Sequence, residues 1–237
     1  MAKYSPKGFF HHFWTRESGL TSMFVLLFLH NFILIPLFRY NHAIRISTNI
    51  FWLLFLYAGI VTLAKNRTHA WLLSVIPAVF IVVHWFEGFH DHHLLRYTDF
   101  ILSILIFILL ISLVLVKVFE KGPMTIHRIV GAVVVFMLIG NFFAVMYQFI
   151  YMEVPGSFIL SIQDPDRNTI QSTFIYFSFT SLTTTGYGDI LPLRPFVRNL
   201  VVIEQLIGVL YPVVLIGKLV SFQIVLKGSR RKPHNQE

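Results

Sequence analysis

Residues 183–189 read Thr183-Thr184-Thr185-Gly186-Tyr187-Gly188-Asp189, and their flanks decide the fold. Downstream lies one long apolar run, Pro195–Leu226, and upstream lies another, Ile126–Tyr151. Between the upstream run and the heptad sits Thr169–Thr183, rich in Ser, Thr and aromatic residues. A spanning helix takes about 20 mostly apolar residues, so Thr169–Thr183 is too short to cross. A short helix at membrane depth is stable only where protein or a water-filled cavity surrounds it. The predicted order is a span, a re-entrant helix, a glycine-bearing loop and a final span.

Four more apolar runs precede these, near Leu20–Phe38, Thr48–Leu63, Ala70–Phe86 and Thr98–Phe119, which makes six spans. The composition agrees: 56% of the 237 residues are hydrophobic and 13% are charged, whereas a soluble domain carries about 25% charge. A soluble enzyme and a disordered regulator are both excluded. The chain has no cysteine, which removes disulfides, thiolate metal sites and cysteine nucleophiles. The net charge of +8 points to Lys and Arg gathered on cytoplasmic loops rather than to nucleic acid. With the N-terminus inside, 13 Lys and Arg fall on the cytoplasmic side and 6 outside. The loop carrying Arg39 and Arg45 runs against the trend. The expectation is a multi-pass protein of the cell membrane with both termini cytoplasmic.

Four parts are expected along the chain: an interfacial N-terminus over 1–19, a four-helix domain over 20–121, a two-helix pore domain over 122–226 and a short basic tail over 227–237, taken as disordered. The first span lacks a small-residue cleavage site and is expected to be retained. The aromatic stretch Phe9–Trp14 before it suits the headgroup layer.

The heptad carries the chemistry. A dehydrated cation crossing a bilayer needs oxygens in place of its water shell, and rings of backbone carbonyls supply them. Such a strand needs positive φ at some positions, which Gly186 and Gly188 take readily. Thr184 would add a hydroxyl at the inner end. The Tyr187 side chain is expected to wedge the strand against the short helix.

Over Thr184-Thr185-Gly186-Tyr187-Gly188, with Thr183 before and Asp189 after, the loop resembles the selectivity filter of the tetrameric potassium channel family. The resemblance covers Ile126 to Leu226. Thr185 stands where Val is common, a mild change between β-branched residues. The resemblance implies an all-α membrane protein of six transmembrane helices plus a re-entrant pore helix and filter loop, assembled as a homotetramer. It further implies passive potassium conduction without catalysis, with potassium ions in the filter, no other cofactor, and membrane lipids but no nucleic acid as partners. The pore helix would be capped by Asn168 or Asp166 and would turn its C-terminal dipole toward a cation cavity. Tyr176 and Phe177 occupy the positions where voltage-gated relatives carry a Trp-Trp pair that supports the filter.

Gly208 lies twenty residues after Gly188, where the family's inner helix has a gating hinge. Pro212 withholds the amide that would bond the Gly208 carbonyl, so Gly208–Pro212 is the expected hinge. Ile216 and Val220, further along, are candidates for a hydrophobic constriction. Glu204 is an intramembrane carboxyl, costly unless it faces protein. It is expected to support the filter through Ser178, Thr180 or Ser181. The fourth span has no Lys or Arg over Thr98–Val116, so strong voltage gating is not expected. His30, in the first span, reads as a packing residue. His90, His92 and His93, near His84, Glu87 and Asp91, form a weak candidate site for protons or a metal. The alternatives are a weakly selective cation channel and a membrane metal- or haem-binding protein using the eleven histidines.

Overall fold

A computed structural model describes residues 19–35, 93–120, 125–160 and 167–230, together with helical positions 51, 55, 59, 75, 78–84 and 86, and side chains as far as residue 218. Helix α1 covers Gly19–Leu29 and continues as a π-helical turn over His30–Leu34. α2 covers His93–Val118, α3 Ile126–Glu153, α4 Arg167–Leu182 and α5 Pro195–Arg230. Among the described residues α2, α3 and the Pro195–Lys218 part of α5 are long and apolar enough to cross a membrane. The expected second and third spans, the Phe9–Trp14 stretch, His90 and His92 lie mainly or wholly outside the described residues.

The all-helical expectation holds for most of the chain, with two short strands added, β1 Phe158–Leu160 and β2 Ile190–Pro192, and two other expectations need correction. They pair antiparallel, with Phe158 opposite Pro192, Ile159 opposite Leu191 and Leu160 opposite Ile190. Alternation cannot be read over three residues, so no sequence period announces them. The expected disordered tail also begins too early, because α5 continues to Arg230. Finally, α4 starts at Arg167, so Asn168 is inside the helix and is not its cap; Asp166 lies outside the described residues.

Two large cores hold these helices, with a small third cluster of Ile35, Ala144 and Ile175. In the first, Leu20, Met23 and Leu27 of α1 meet Ile106, Phe107, Leu110 and Val114 of α2 and Ala132, Val135 and Leu138 of α3. In a bilayer such helices associate through close packing, since lipid tails are as apolar as leucine. The second core is aromatic and joins α3, α4, β1 and α5. The Tyr147 and Phe177 rings lie 5.2 Å apart, and those of Phe158 and Phe174 lie 4.9 Å apart, both edge-on, a geometry favoured by the ring quadrupole. This core fixes the short α4 between two long helices.

α3 ends at Glu153, where the following Val154 is extended before Pro155. Gly156 then turns the chain with φ 69°, leading it into β1. β2 follows the heptad directly, so the ladder ties the C-terminal end of the loop to the end of α3. Leu193 N–H donates to Ser157 O at 2.8 Å and extends the tie.

Candidate functional site

The heptad begins as the end of α4. Thr184 N–H donates to Ser181 O at 2.9 Å, and Thr185 N–H donates to Thr180 O at 2.8 Å. Thr184 has φ 57°. These two bonds around a left-handed residue make a Schellman motif, which usually places glycine where Thr184 stands. Gly186 N–H also donates to Thr180 O, at 3.2 Å. The first amides of the loop thus occupy the last carbonyls of α4.

Positive φ recurs at Gly186 (51°) and Gly188 (78°), while Thr185 and Tyr187 keep negative φ. Alternating φ signs turn the peptide planes so that successive carbonyls can face one side. Among the described residues, no hydrogen bond reaches the carbonyls of residues 184–188. All of residues 183–189 are exposed in the single chain.

Side chains brace the loop from behind. Thr183 Oγ1 donates to Phe179 O at 2.7 Å and lies 3.0 Å from Thr185 Oγ1. Thr183 has one hydroxyl proton, so Thr185 is the donor between them. Replacing a common Val by Thr185 therefore adds a bond as well as keeping the β-branch. The Tyr187 ring lies parallel to Tyr176, 6.4 Å between centroids. The Tyr176 hydroxyl is pushed above its ordinary pKa by desolvation first, then by its hydrogen bond to Asp189 and that group's charge. Phe177, the other expected filter support, faces the aromatic core instead, 6% exposed. The pair divides, with Tyr176 toward the loop and Phe177 toward α3.

Glu204 of α5 is fully buried. Its Oε1 lies 2.5 Å from Ser178 Oγ, and Tyr147 OH donates to Oε2 at 2.7 Å. Ser178 Oγ also lies 2.6 Å from Gly140 O. That carbonyl can only accept, and Ser178 has one proton to give. The count closes when Glu204 is a neutral acid that donates to Ser178, which in turn donates to Gly140. Of the three expected partners, Ser178 makes the contact. Tyr147 was not anticipated, because it sits 57 residues away on another helix.

Gly208 lies against the end of α4. A Cβ there would be 1.8 Å from Leu182 O and 2.8 Å from its carbonyl carbon. Its smallness permits a backbone crossing, a reason independent of hinging. Pro212 lies within continuous α5. Beside it, Tyr211 OH donates to Ala132 O at 2.9 Å and ties this turn to α3. Ile216 is exposed in the single chain; Val220 is helical, with its side chain outside the described part. At the far end of α2, the Lys218 ammonium sits 3.7 Å over the Phe119 ring.

Of the candidate histidines, His93 opens α2 with Nδ1 3.9 Å from Glu153. Arg96 pairs with Glu153 at 3.1 Å, and Tyr97 OH donates to the same carboxyl at 3.1 Å. His84 meets Asp99 at 3.0 Å. Among the described residues no group of three or more His, Asp or Glu is placed to hold a metal. His30 is buried and stacks on Phe51 at 3.8 Å.

Comparison with known proteins bears on this same region. Residues 133–224 match the family model described as an ion channel. The match takes in most of α3, all of α4 and the heptad, and α5 as far as residue 224, the elements that build the site. It supports an ion channel, and together with the apolar helices it makes the chain a membrane protein. Neither the curated proteins nor the solved structures compared with the chain gave a match.

Proposed function

We propose that the chain is a potassium-selective channel subunit that conducts passively as a homotetramer. The observation that carries this reading is the run from Thr184 to Gly188, with φ alternating in sign and its carbonyls free of donors among the described residues. Free carbonyls at membrane depth are costly; four such runs around an axis would turn that cost into cation coordination. A closed four-fold ring is the simplest arrangement that brings identical loops together. Along α5, Val202, Leu206, Val209, Leu210 and Val213 are all more than half exposed in the single chain, an apolar surface suited to neighbouring subunits and lipid.

Gly208–Pro212 is the proposed hinge and Ile216–Val220 the proposed constriction. Glu204, with Ser178 and Tyr147, holds the back of α4. α2 carries Arg96 and Lys117 only near its two ends, and Arg96 is already paired with Glu153. Its middle has no charge for a transmembrane voltage to move, so gating depends weakly on voltage.

The test is flux from liposomes holding the purified protein, with reversal potentials in mixed potassium and sodium. Potassium reversal with little sodium contribution is expected. A reversal near zero in opposed potassium and sodium would favour the weakly selective cation channel. No flux, together with a bound metal or a Soret band, would favour the metal or haem protein.

A further inference from the structure

Three helices long enough to cross a membrane bring cations to one end. Lys117 stands in the last turn of α2, Arg128 in the first turn of α3, and Lys218 at the end of the apolar part of α5. Side-chain contacts show that these ends meet. The Lys218 ammonium lies 3.7 Å over the Phe119 ring. Arg128 Nη1 donates to the carbonyl of Glu120, the next residue, at 2.7 Å, and Lys117 Nζ sits 3.1 Å from the Glu120 carboxylate. Three positive side chains therefore gather around the adjacent residues Phe119 and Glu120, with one carboxylate among them.

That carboxylate is engaged by Lys117, and the first turn of α3 carries no acid. Among the described residues Lys218 has neither a hydrogen bond nor a carboxylate partner. Its ammonium has three protons to donate, and the Phe119 ring meets its charge without offering a lone pair. The opposite end of α2 is built differently, because Arg96 there is paired with Glu153 at 3.1 Å. A long basic side chain at the end of a span reaches the headgroup layer. In a bilayer the anion at that depth is the lipid phosphate, and basic pockets between membrane helices hold such groups. The surroundings favour a lipid over a soluble anion. Phe119 and Leu215 are half-buried against the first core, and Leu215 precedes Lys218 by one turn on the same helix face. Apolar surface thus adjoins the unpaired charge. A soluble phosphate uses the charge alone, whereas a phospholipid uses both.

We propose that the junction of α2, α3 and α5 binds a phosphate ester, supplied by an anionic phospholipid of the bilayer. The phosphate sits on Lys218 in the field of Arg128 and Lys117, and an acyl chain runs along Phe119 and Leu215. Binding requires neither potassium selectivity nor conduction, so its test is separate from that of the proposed function.

The experiment places the full-length protein in phosphatidylcholine liposomes doped with a phosphatidylglycerol that bears a diazirine on its acyl chain near the glycerol. Photolysis is followed by mapping of labelled peptides. Saturable label is expected on the peptides holding Phe119 and Leu215, displaced by unlabelled phosphatidylglycerol and not by added phosphatidylcholine. K218Q should weaken labelling roughly five-fold, the attraction of about one basic residue for an anionic lipid surface, and K218R should restore it. In phosphatidylcholine alone K218Q should melt close to the native protein, since an exposed cation–ring contact contributes little; this separates lost binding from lost folding. Displacement by soluble glycerol 3-phosphate as readily as by phosphatidylglycerol would overturn the lipid source and assign the phosphate ester to the aqueous phase. Label that phosphatidylcholine displaces equally well, that spreads evenly along α2, α3 and α5, or that is unchanged in K218Q overturns the proposal.

Discussion

At the residue scale, the left-handed positions separate sharply by what they tolerate. Gly188 has φ 78°, and a Cβ there strains the backbone by about 1–2 kcal/mol. G188A is expected to lose discrimination between potassium and sodium, read as a shift of the reversal potential. Thr184 already bears that strain at φ 57°, held there by the Schellman bonds. Nothing in its residue type signals this, because a β-branched residue is the last one expected in that region. The glycines were legible in the sequence, since only their type makes the turn inexpensive. Thr185 was half legible: its β-branch could be read, but its bond to Thr183 depends on a hydroxyl contact across two residues. T185V should lower stability by about 1 kcal/mol, measured as a drop in the melting temperature of the purified protein. An unchanged midpoint would leave the β-branch as its whole contribution.

Helix crossings carry the next set of expectations. G208A places a methyl group against the Leu182 carbonyl, and overpacking of this kind costs about 1–3 kcal/mol. A pure hinge would tolerate Ala, a good helix former, with altered gating and an intact fold. The contact predicts instead that G208A lowers the thermal midpoint as well, so melting curves decide between the two roles. P212A and Y211F act on the same turn from opposite sides. P212A restores an amide to the helix, while Y211F releases the tie to Ala132; both should change open probability in single-channel records and leave selectivity alone. For the Glu204 group, the proton count predicts that E204Q, neutral and similar in shape, folds and conducts close to native. Y147F, which removes one donor, should lose about 1 kcal/mol. A collapsed E204Q alongside a healthy E204D would mean that the carboxyl is charged. The sequence pointed to Ser178 because Glu204, one turn before Gly208, falls beside the hydroxyl-bearing short helix in any such arrangement. It could not point to Tyr147, whose contact depends on how α3 packs against α5. The π turn of α1 and the β1–β2 ladder were equally out of reach, since both arise from tertiary placement and leave no period behind.

Across the whole molecule, the spans that build the site could be read from length and apolarity alone, and the family match falls on the same stretch. Assembly belongs to this scale, because the carbonyls of residues 184–188 meet no donor among the described residues of one chain. Light scattering of the detergent-solubilised protein is expected to return four copies of the 27.5 kDa chain; a stable dimer or monomer that still conducts would remove the basis of the proposal. Conductance against voltage should be shallow, since the one arginine of α2 is bound to Glu153 near the start of the helix.

The ladder between β1 and β2 has one more effect. It is built from main-chain groups, so the placement of the loop's C-terminal end depends on how many residues lie on each side of the loop and hardly on which residues they are. Side chains over 158–160 and 190–192 can change while the pairing stays. A single inserted or deleted residue there would slip the register and move the end of the loop away from the end of α3.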